Sequence, residues 1–454
     1  MRWTAGLALF VVLTIVGAPR PATAQERVLA QIDPGGWLTG VTLLVPSGSA
    51  MDPAGSEGTA LVLGRLLELE GNAQLSSRGA RLEVEVRRDD MALTLLAPPE
   101  EWVDALDELR ALLFGGGPLP EARASSLLEQ QRDRAIFEEG APVRDFEVER
   151  ARLLLGAASP GARSRDGTRS SIATIDAESL RRFRDAHFDP ARVRIAVAGP
   201  ATELQLRQAF PGGFEEVRPT APFVRSTPLT PRPRPDTAAA LPGDADLSPE
   251  LRPGPLLRLR SVLEPPVPGS GPRAWDTGRR DVIDRELTST WMSVIWPFPA
   301  GTSEILLGFL GHLAAQAVVT TPPDPGLFRI EFALDEHEGA PVLVVSASVD
   351  PRTTRAWEAK ITGVIEALAA SPPEGAFFEL GRRRYRSARL LATAAPGDRS
   401  RWLARTAHAG RSVPDEELEI WALTREAVSR GATAAGEPRV LLMGPRAMFE
   451  DPGS

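Results

Sequence analysis

The sequence predicts an α+β protein built from two homologous units, each a mixed or antiparallel sheet covered by helices. Three observations carry that expectation. The succession strand, helix, hairpin, helices, strand runs once through residues 25–217 and again through 285–454. Both runs close on an apolar strand followed by Gly-Pro, at Gly199-Pro200 and at Gly444-Pro445. Between them, residues 218–284 lose periodicity and hold 14 of the chain's 42 prolines, the composition of an extended, semi-rigid connector. Repetition of pattern without repetition of residues reads as a duplicated α+β unit.

Composition narrows the function classes. The 454 residues are 43% hydrophobic and 25% charged, ordinary values for a globular protein. A net charge of -8, with no basic stripe interleaved with aromatics, argues against nucleic acid as a partner. With no cysteine the chain has no disulfide and no lipoprotein anchor, so packed cores must hold it together. Residues 1–24 read as a signal peptide: Arg2 gives the positive start, Leu7 to Val16 the apolar core, and Ala22-Thr23-Ala24 the cleavage pattern. Cleavage before Gln25 would release an exported, periplasmic or secreted protein with no membrane span.

In the first unit, Val41 to Val45 reads as a buried strand and Gly58 to Gly71 as an apolar helix. Arg81 to Arg88 alternates polar and apolar residues, Asp89-Asp90 marks a turn, and Met91 to Ala97 completes a hairpin. Glu101 to Phe114 is amphipathic and stops at Gly115-Gly116-Gly117, and Pro120 opens a helix to about Glu139. Helices around 144–155 and 176–187 precede the closing strand, Arg192 to Ala198. In the second unit, Thr290 to Trp296 is a strand and Ser303 to Val319 a helix. Phe328 to Ala333 with Val342 to Val349 form a hairpin, and helices at 355–370, 376–391 and 416–430 lead to the strand Arg439 to Met443.

The order and the residues of the first unit resemble the insulinase-like (M16) zinc peptidases. In that family the corresponding helix carries an inverted H-x-x-E-H motif: two histidine ligands at i and i+4, a glutamate base between them, and a distal glutamate as third ligand. Here Met51 to Ala60 occupies the approach and Leu66 to Gly71 the exit. Further on, Leu128 to Glu139 resembles the third-ligand helix, and Asp166-Gly167-Thr168 with His187-Phe188-Asp189-Pro190 resembles the later family passage. The resemblance puts Leu61 and Arg65 at the two histidine positions, Gly64 at the base, and Glu138 (or Glu139) at the third ligand. Leu61 has no lone pair, Gly64 no side chain, and Arg65 brings a permanent positive charge to the place of the cation. Restoring Leu61→His, Gly64→Glu and Arg65→His would recover zinc affinity if Glu138 holds the third-ligand position.

The resemblance therefore implies a non-catalytic relative that binds no metal itself. It would pair with an active, zinc-bearing paralogue as a heterodimer and wall half of a chamber for unfolded peptides. A stand-alone peptide-binding or scaffold protein is the alternative, and a residually active metalloendopeptidase a third. The family's substrate-holding Tyr has no counterpart near residues 329–343, since the single tyrosine is Tyr385 within Arg382 to Arg386. That basic run reads as a solvated helix face, with an acidic partner surface as the sharper alternative. His187, His312, His337 and His408 form no metal-like pair in sequence, and neither a serine-hydrolase elbow nor a phosphate loop occurs.

Overall fold

A computed structural model describes residues 28–217, 278–320, 326–337, 340–409 and 416–446, together with Phe449. The signal-peptide and most of the connector expectations, including a strand-like piece at Leu256 to Val262, lie outside the described residues. The first half runs β1 (Val28–Ile32), β2 (Thr39–Val45), α1 (Thr59–Leu75), β3 (Arg81–Val86), β4 (Met91–Ala97), α2 (Trp102–Phe114), α3 (Glu121–Phe137) and α4 (Pro142–Leu155). It continues with α5 (Arg169–Ile172), α6 (Ala177–His187), β5 (Arg194–Gly199), α7 (Glu203–Ala209) and β6 (Glu215–Glu216). The second half runs β7 (Arg280–Asp284), β8 (Thr290–Pro297), α8 (Glu304–Thr320), β9 (Leu327–His337), β10 (Ala340–Val349) and α9 (Thr354–Ala370). It closes with α10 (Gly375–Ala392), α11 (Pro396–His408), α12 (Glu416–Ala422), α13 (Arg425–Thr433) and β11 (Arg439–Gly444).

The two sheets have one topology. The first is ordered β3-β4-β2-β5-β1-β6 and the second β9-β10-β8-β11-β7. In each, a hairpin lies at one edge, the closing strand pairs antiparallel with the strand before the first long helix, and an opening strand runs parallel to the closing one. The two mixed sheets covered by helices bear out the expected α+β class.

Each half has its own core. Leu63, Leu66 and Leu67 of α1 meet Leu43, Leu93 and Leu95 of the sheet, with Trp102, Leu106 and Leu109 of α2. In the second half Leu310 and Leu313 of α8 join Trp357, Phe378 and Tyr385. These faces cover only one side of each sheet, and the opposite sides are covered by exchange. Helix α4 lays Phe146, Leu153 and Leu154 on Ile295, Val342, Val344, Leu441 and Met443 of the second sheet. Helix α11 lays Leu403, Ala404 and Ala407 on Leu29, Leu44, Ala92 and Ala196 of the first. Because both faces are packed, β2 is buried at every position, as a strand sandwiched between helix layers must be.

The exchange is anchored by polar contacts. Fully buried Thr42 on β2 is bonded to Thr94 at 3.0 Å and to Ser400 of α11 at 2.7 Å. Gly40 permits this approach, because a Cβ there would run into the Pro396 carbonyl. On the other sheet, Arg150 donates to Ser346 Oγ at 3.0 Å and Arg439 to the Leu153 carbonyl at 3.2 Å.

Four expectations need correction. Arg280–Asp284, placed at the end of the connector, is β7 and belongs to the second sheet. Gly71 does not stop α1, which continues to Leu75; it lets the helix close on Leu82, whose Cδ2 lies 2.5 Å from where a Cβ would be. The late helix is two, because Thr424 caps a new start through the Ala427 N–H. Finally, β1 and α11 are elements where no strand or helix was expected.

Candidate functional site

The start of α1 is built before its first turn. Gly58 sits at φ 98, a left-handed conformation that favours glycine, so it offers no side-chain cap. Asp52 supplies the cap from outside the helix: its carboxylate accepts the Gly58 N–H at 2.7 Å and the Ala60 N–H at 2.8 Å. Arg163 holds the Asp52 carbonyl at 3.0 Å. Burial pushes the Asp52 carboxyl up to about 7, against the backbone donors of Ala60 and Gly58, which lower it.

Leu61, Gly64 and Arg65 then meet three different surroundings. Leu61 is half-buried and packs against the apolar core. Gly64 is buried beneath β3: a Cβ there would lie 2.5 Å from Val86 Cγ2 and 3.2 Å from Val84 Cγ1. Helix and strand therefore touch at Gly64, with no room for a side chain. Arg65 turns to α3 and donates to Gln131 Oε1 in a short hydrogen bond. Gln131 is 1% exposed and donates in turn to the Asp166 carbonyl at 2.8 Å. Burial, and after it the charge of Arg134, lower the Arg65 pKa, while Asp166 and Glu138 raise it.

The α3 residue bonded to Arg65 is thus Gln131, not Glu138. Glu138 caps the end of α3 and pairs with Arg134 at 2.7 Å, and Glu139 is exposed beyond it. Gln131 lies seven residues before Glu138, two turns back along the helix. Counting back by that spacing from Glu138 is the signal that could have found it in the sequence.

Helix α1 also occupies the free edge of β3. The Asn72 side chain accepts the Leu82 N–H and donates to the Leu82 carbonyl, both at 2.9 Å, as a neighbouring strand would. The Val84 N–H is directed to the Glu68 carboxylate, whose pKa burial nonetheless raises. Since β3 pairs only with β4 among the described residues, these outward groups would otherwise be open to another chain.

Elsewhere the chemistry-bearing residues stay apart. Among the described residues no group of three His, Cys, Asp or Glu side chains is placed to hold a metal ion. His187 packs on Phe183, His312 lies inside the second core beside Tyr385, and His408 ends α11. His337 ends β9, and its side chain lies outside the described residues. Tyr385 is buried against Gly308, where a Cβ would run into its hydroxyl, and burial raises its pKa. Within the basic run Arg382 to Arg386, Arg382 stacks over Trp421 at 4.6 Å and pairs with Glu379 at 2.7 Å, while Arg383 and Arg384 are exposed. No helix among the described residues is long and apolar enough to cross a membrane.

Comparison with solved structures places this architecture. A protease from Helicobacter pylori superposes with a TM-score of 0.68 at 12% identity, over 93% of this chain and 97% of the other. A peptidase M16 inactive domain from Pseudomonas fluorescens gives 0.65 at 14% identity, over 93% and 97%. The periplasmic protease PqqL from Escherichia coli gives 0.65 at 11% identity, over 93% of this chain but 45% of its own. No protein-family model matches the sequence, and no curated protein matches it. The chain has the two-unit fold of the M16-like peptidases, and the resemblance drawn from its residues is borne out at the level of fold.

Proposed function

We propose that this chain is a non-catalytic M16-type protein that works as the inactive subunit beside a zinc-bearing relative. The observation that carries the reading is the content of the site helix. Leu61 is packed into core, Gly64 lies against Val84 and Val86 with no room for a base, and Arg65 points a guanidinium at Gln131. Leu, Gly, Arg and Gln offer neither the ligands nor the general base that a zinc hydrolase needs. In this reading Gln131, rather than Glu138, stands at the third-ligand position, and the Arg65–Gln131 bond fills the space of the metal. The solved inactive M16 domain, similar over nearly the whole chain, supports it. Export, the division into two units about a Pro-rich connector, with Arg280–Asp284 counted in the second, and an unfolded-peptide substrate held with the partner belong to the same proposal.

Two measurements test it. The purified chain should cleave no unfolded peptide and retain no zinc, and in its host it should co-purify with an exported paralogue that carries H-x-x-E-H. Stoichiometric zinc with cleavage by the chain alone would overturn the proposal, and isolation as a lone species would favour the scaffold reading. Zinc binding by Leu61→His, Arg65→His, Gln131→Glu, with none by the same histidine pair over native Gln131, would fix the third position. Affinity in the histidine pair alone would return that role to Glu138.

A further inference from the structure

A pocket lies at the seam between the halves, bordering the start of α1 through Arg163 and Asp166. It has a volume of about 210 Å³ and lies along α4, closed on the far side by Leu334 and Asp335 of β9. Six arginines line it against three carboxylates: Arg87, Arg88, Arg144, Arg150, Arg163 and Arg165 against Glu147, Asp166 and Asp335. This local excess is positive in a chain whose net charge is -8.

The pairings sharpen the excess. Arg87 faces Asp90 at 4.0 Å, Arg88 faces Asp89 at 3.2 Å and Asp335 at 3.8 Å, and Arg165 faces Asp166 at 3.7 Å. The other three arginines are half-buried, and among the described residues they are hydrogen-bonded only to neutral oxygens. Arg150 donates to Ser346 Oγ, Arg144 to Ser164 Oγ and the Ala135 and Gly167 carbonyls, and Arg163 to the Asp52 carbonyl. For Arg163 the carboxylate of Glu57 comes no closer than 3.8 Å. Glu147, the remaining lining carboxylate, is exposed. Among the described residues this leaves Arg144 and Arg150 without an acidic partner; partly desolvated guanidiniums so placed hold a standing positive potential, and their planar forks match the oxygens of phosphate or carboxylate.

We infer that this seam pocket is a binding site for a small multivalent oxyanion of the phosphate class, held by Arg150 with Arg144. Arg150 already reaches across to the second half, so the anion would tie α4 to the sheet it covers. The inference is independent of whether the chain has an active partner.

The test uses the full chain and inorganic phosphate, with chloride at matched ionic strength as reference. Calorimetric titration should give one site with a dissociation constant on the order of 1 mM or tighter, and phosphate should raise the unfolding temperature. Arg150→Gln should weaken binding by about tenfold or more, the range for losing a charge-assisted bond. Ser346→Ala, which removes the cross-seam bond but keeps the guanidinium, should retain binding. If Arg150→Gln does not fold, Arg150→Lys serves, keeping the charge but losing the fork and weakening binding. Absence of one-site binding, or the same response in the Arg150 variants as in the parent, overturns the inference.

Discussion

Helices α1 and α8 occupy the same place in the two halves, and they differ in what they bury. Helix α8 is apolar almost all round, as a helix between sheet and helices should be. Its one buried titratable group is His312, whose two ring nitrogens have no hydrogen-bond partner among the described residues. Helix α1 keeps the apolar frame but carries polar groups that are all engaged: Asp52 at its start, Arg65 on Gln131, Glu70 on Arg123 at 2.5 Å and Asn72 on Leu82. Both helices use a glycine for a close approach, Gly64 to β3 and Gly308 to Tyr385. The packing role of the position is shared. The contacts of Asp52, Arg65, Glu70 and Asn72 are particular to α1.

The comparison can be broken at Gly64. Gly64→Glu should cost about 3 kcal/mol or more, since it overpacks the α1–β3 contact and buries a charge among Val84, Val86 and Met91. Chemical denaturation would measure it, and a neutral outcome would show that the helix can lift from the strand. Next in size is the cap. Asp52→Ala should cost about 1–2 kcal/mol, read from the same denaturation curves.

The two buried titratable groups should give opposite pH slopes. Asp52 has a folded pKa raised to about 7 from 3.8, so the folded state holds its proton more tightly. Its contribution is full below pH 3.8 and is lost as pH rises through about 7. For His312, burial and the charge of Arg384 lower the folded pKa to about 4 from 6.5. Its contribution is present above pH 6.5 and is lost as pH falls through about 4. Asp52→Asn should therefore flatten a decline toward neutral pH, and His312→Leu a decline toward acid, each seen in unfolding midpoints from pH 4 to 7.5. The smallest effect is expected at Glu138. Glu138→Ala should change stability by no more than about 0.5 kcal/mol, as for an exposed i,i+4 pair, whereas Gln131→Ala strips the acceptor from half-buried Arg65 and should cost more.

The fold was legible where local pattern and burial agree. The alternation of Arg81 to Arg88, the glycines after Phe114 and the paired Gly-Pro endings each correspond to an observed element or end. What escaped were elements whose partners are distant. Strand β1 is five residues with no alternation, because β5 and β6 flank it and both faces are covered. Helix α11 reads as polar, with arginines at 399, 401 and 405, and its small buried face of Leu403, Ala404 and Ala407 makes sense only against the first sheet. At the candidate site, Leu61, Gly64 and Arg65 were singled out by the resemblance alone. Gln131 and Asp52 were not singled out, because an amide on a polar helix and an acid before a proline carry no signal until their partners are known.

The exchange of α4 and α11 has a consequence for how the chain is made. A nascent chain emerges from its amino end, so α4 is complete before the sheet it covers exists. The outer face of the first sheet, with Leu29, Leu44, Ala92 and Ala196, waits uncovered until Pro396–His408 has been synthesised. Its strands can pair early, but their apolar back stays open through the whole making of the second sheet. Vectorial synthesis thus leaves a long interval of stickiness, and a ribosome stalled before residue 396 would release a product with an adhesive sheet rather than a shorter protein.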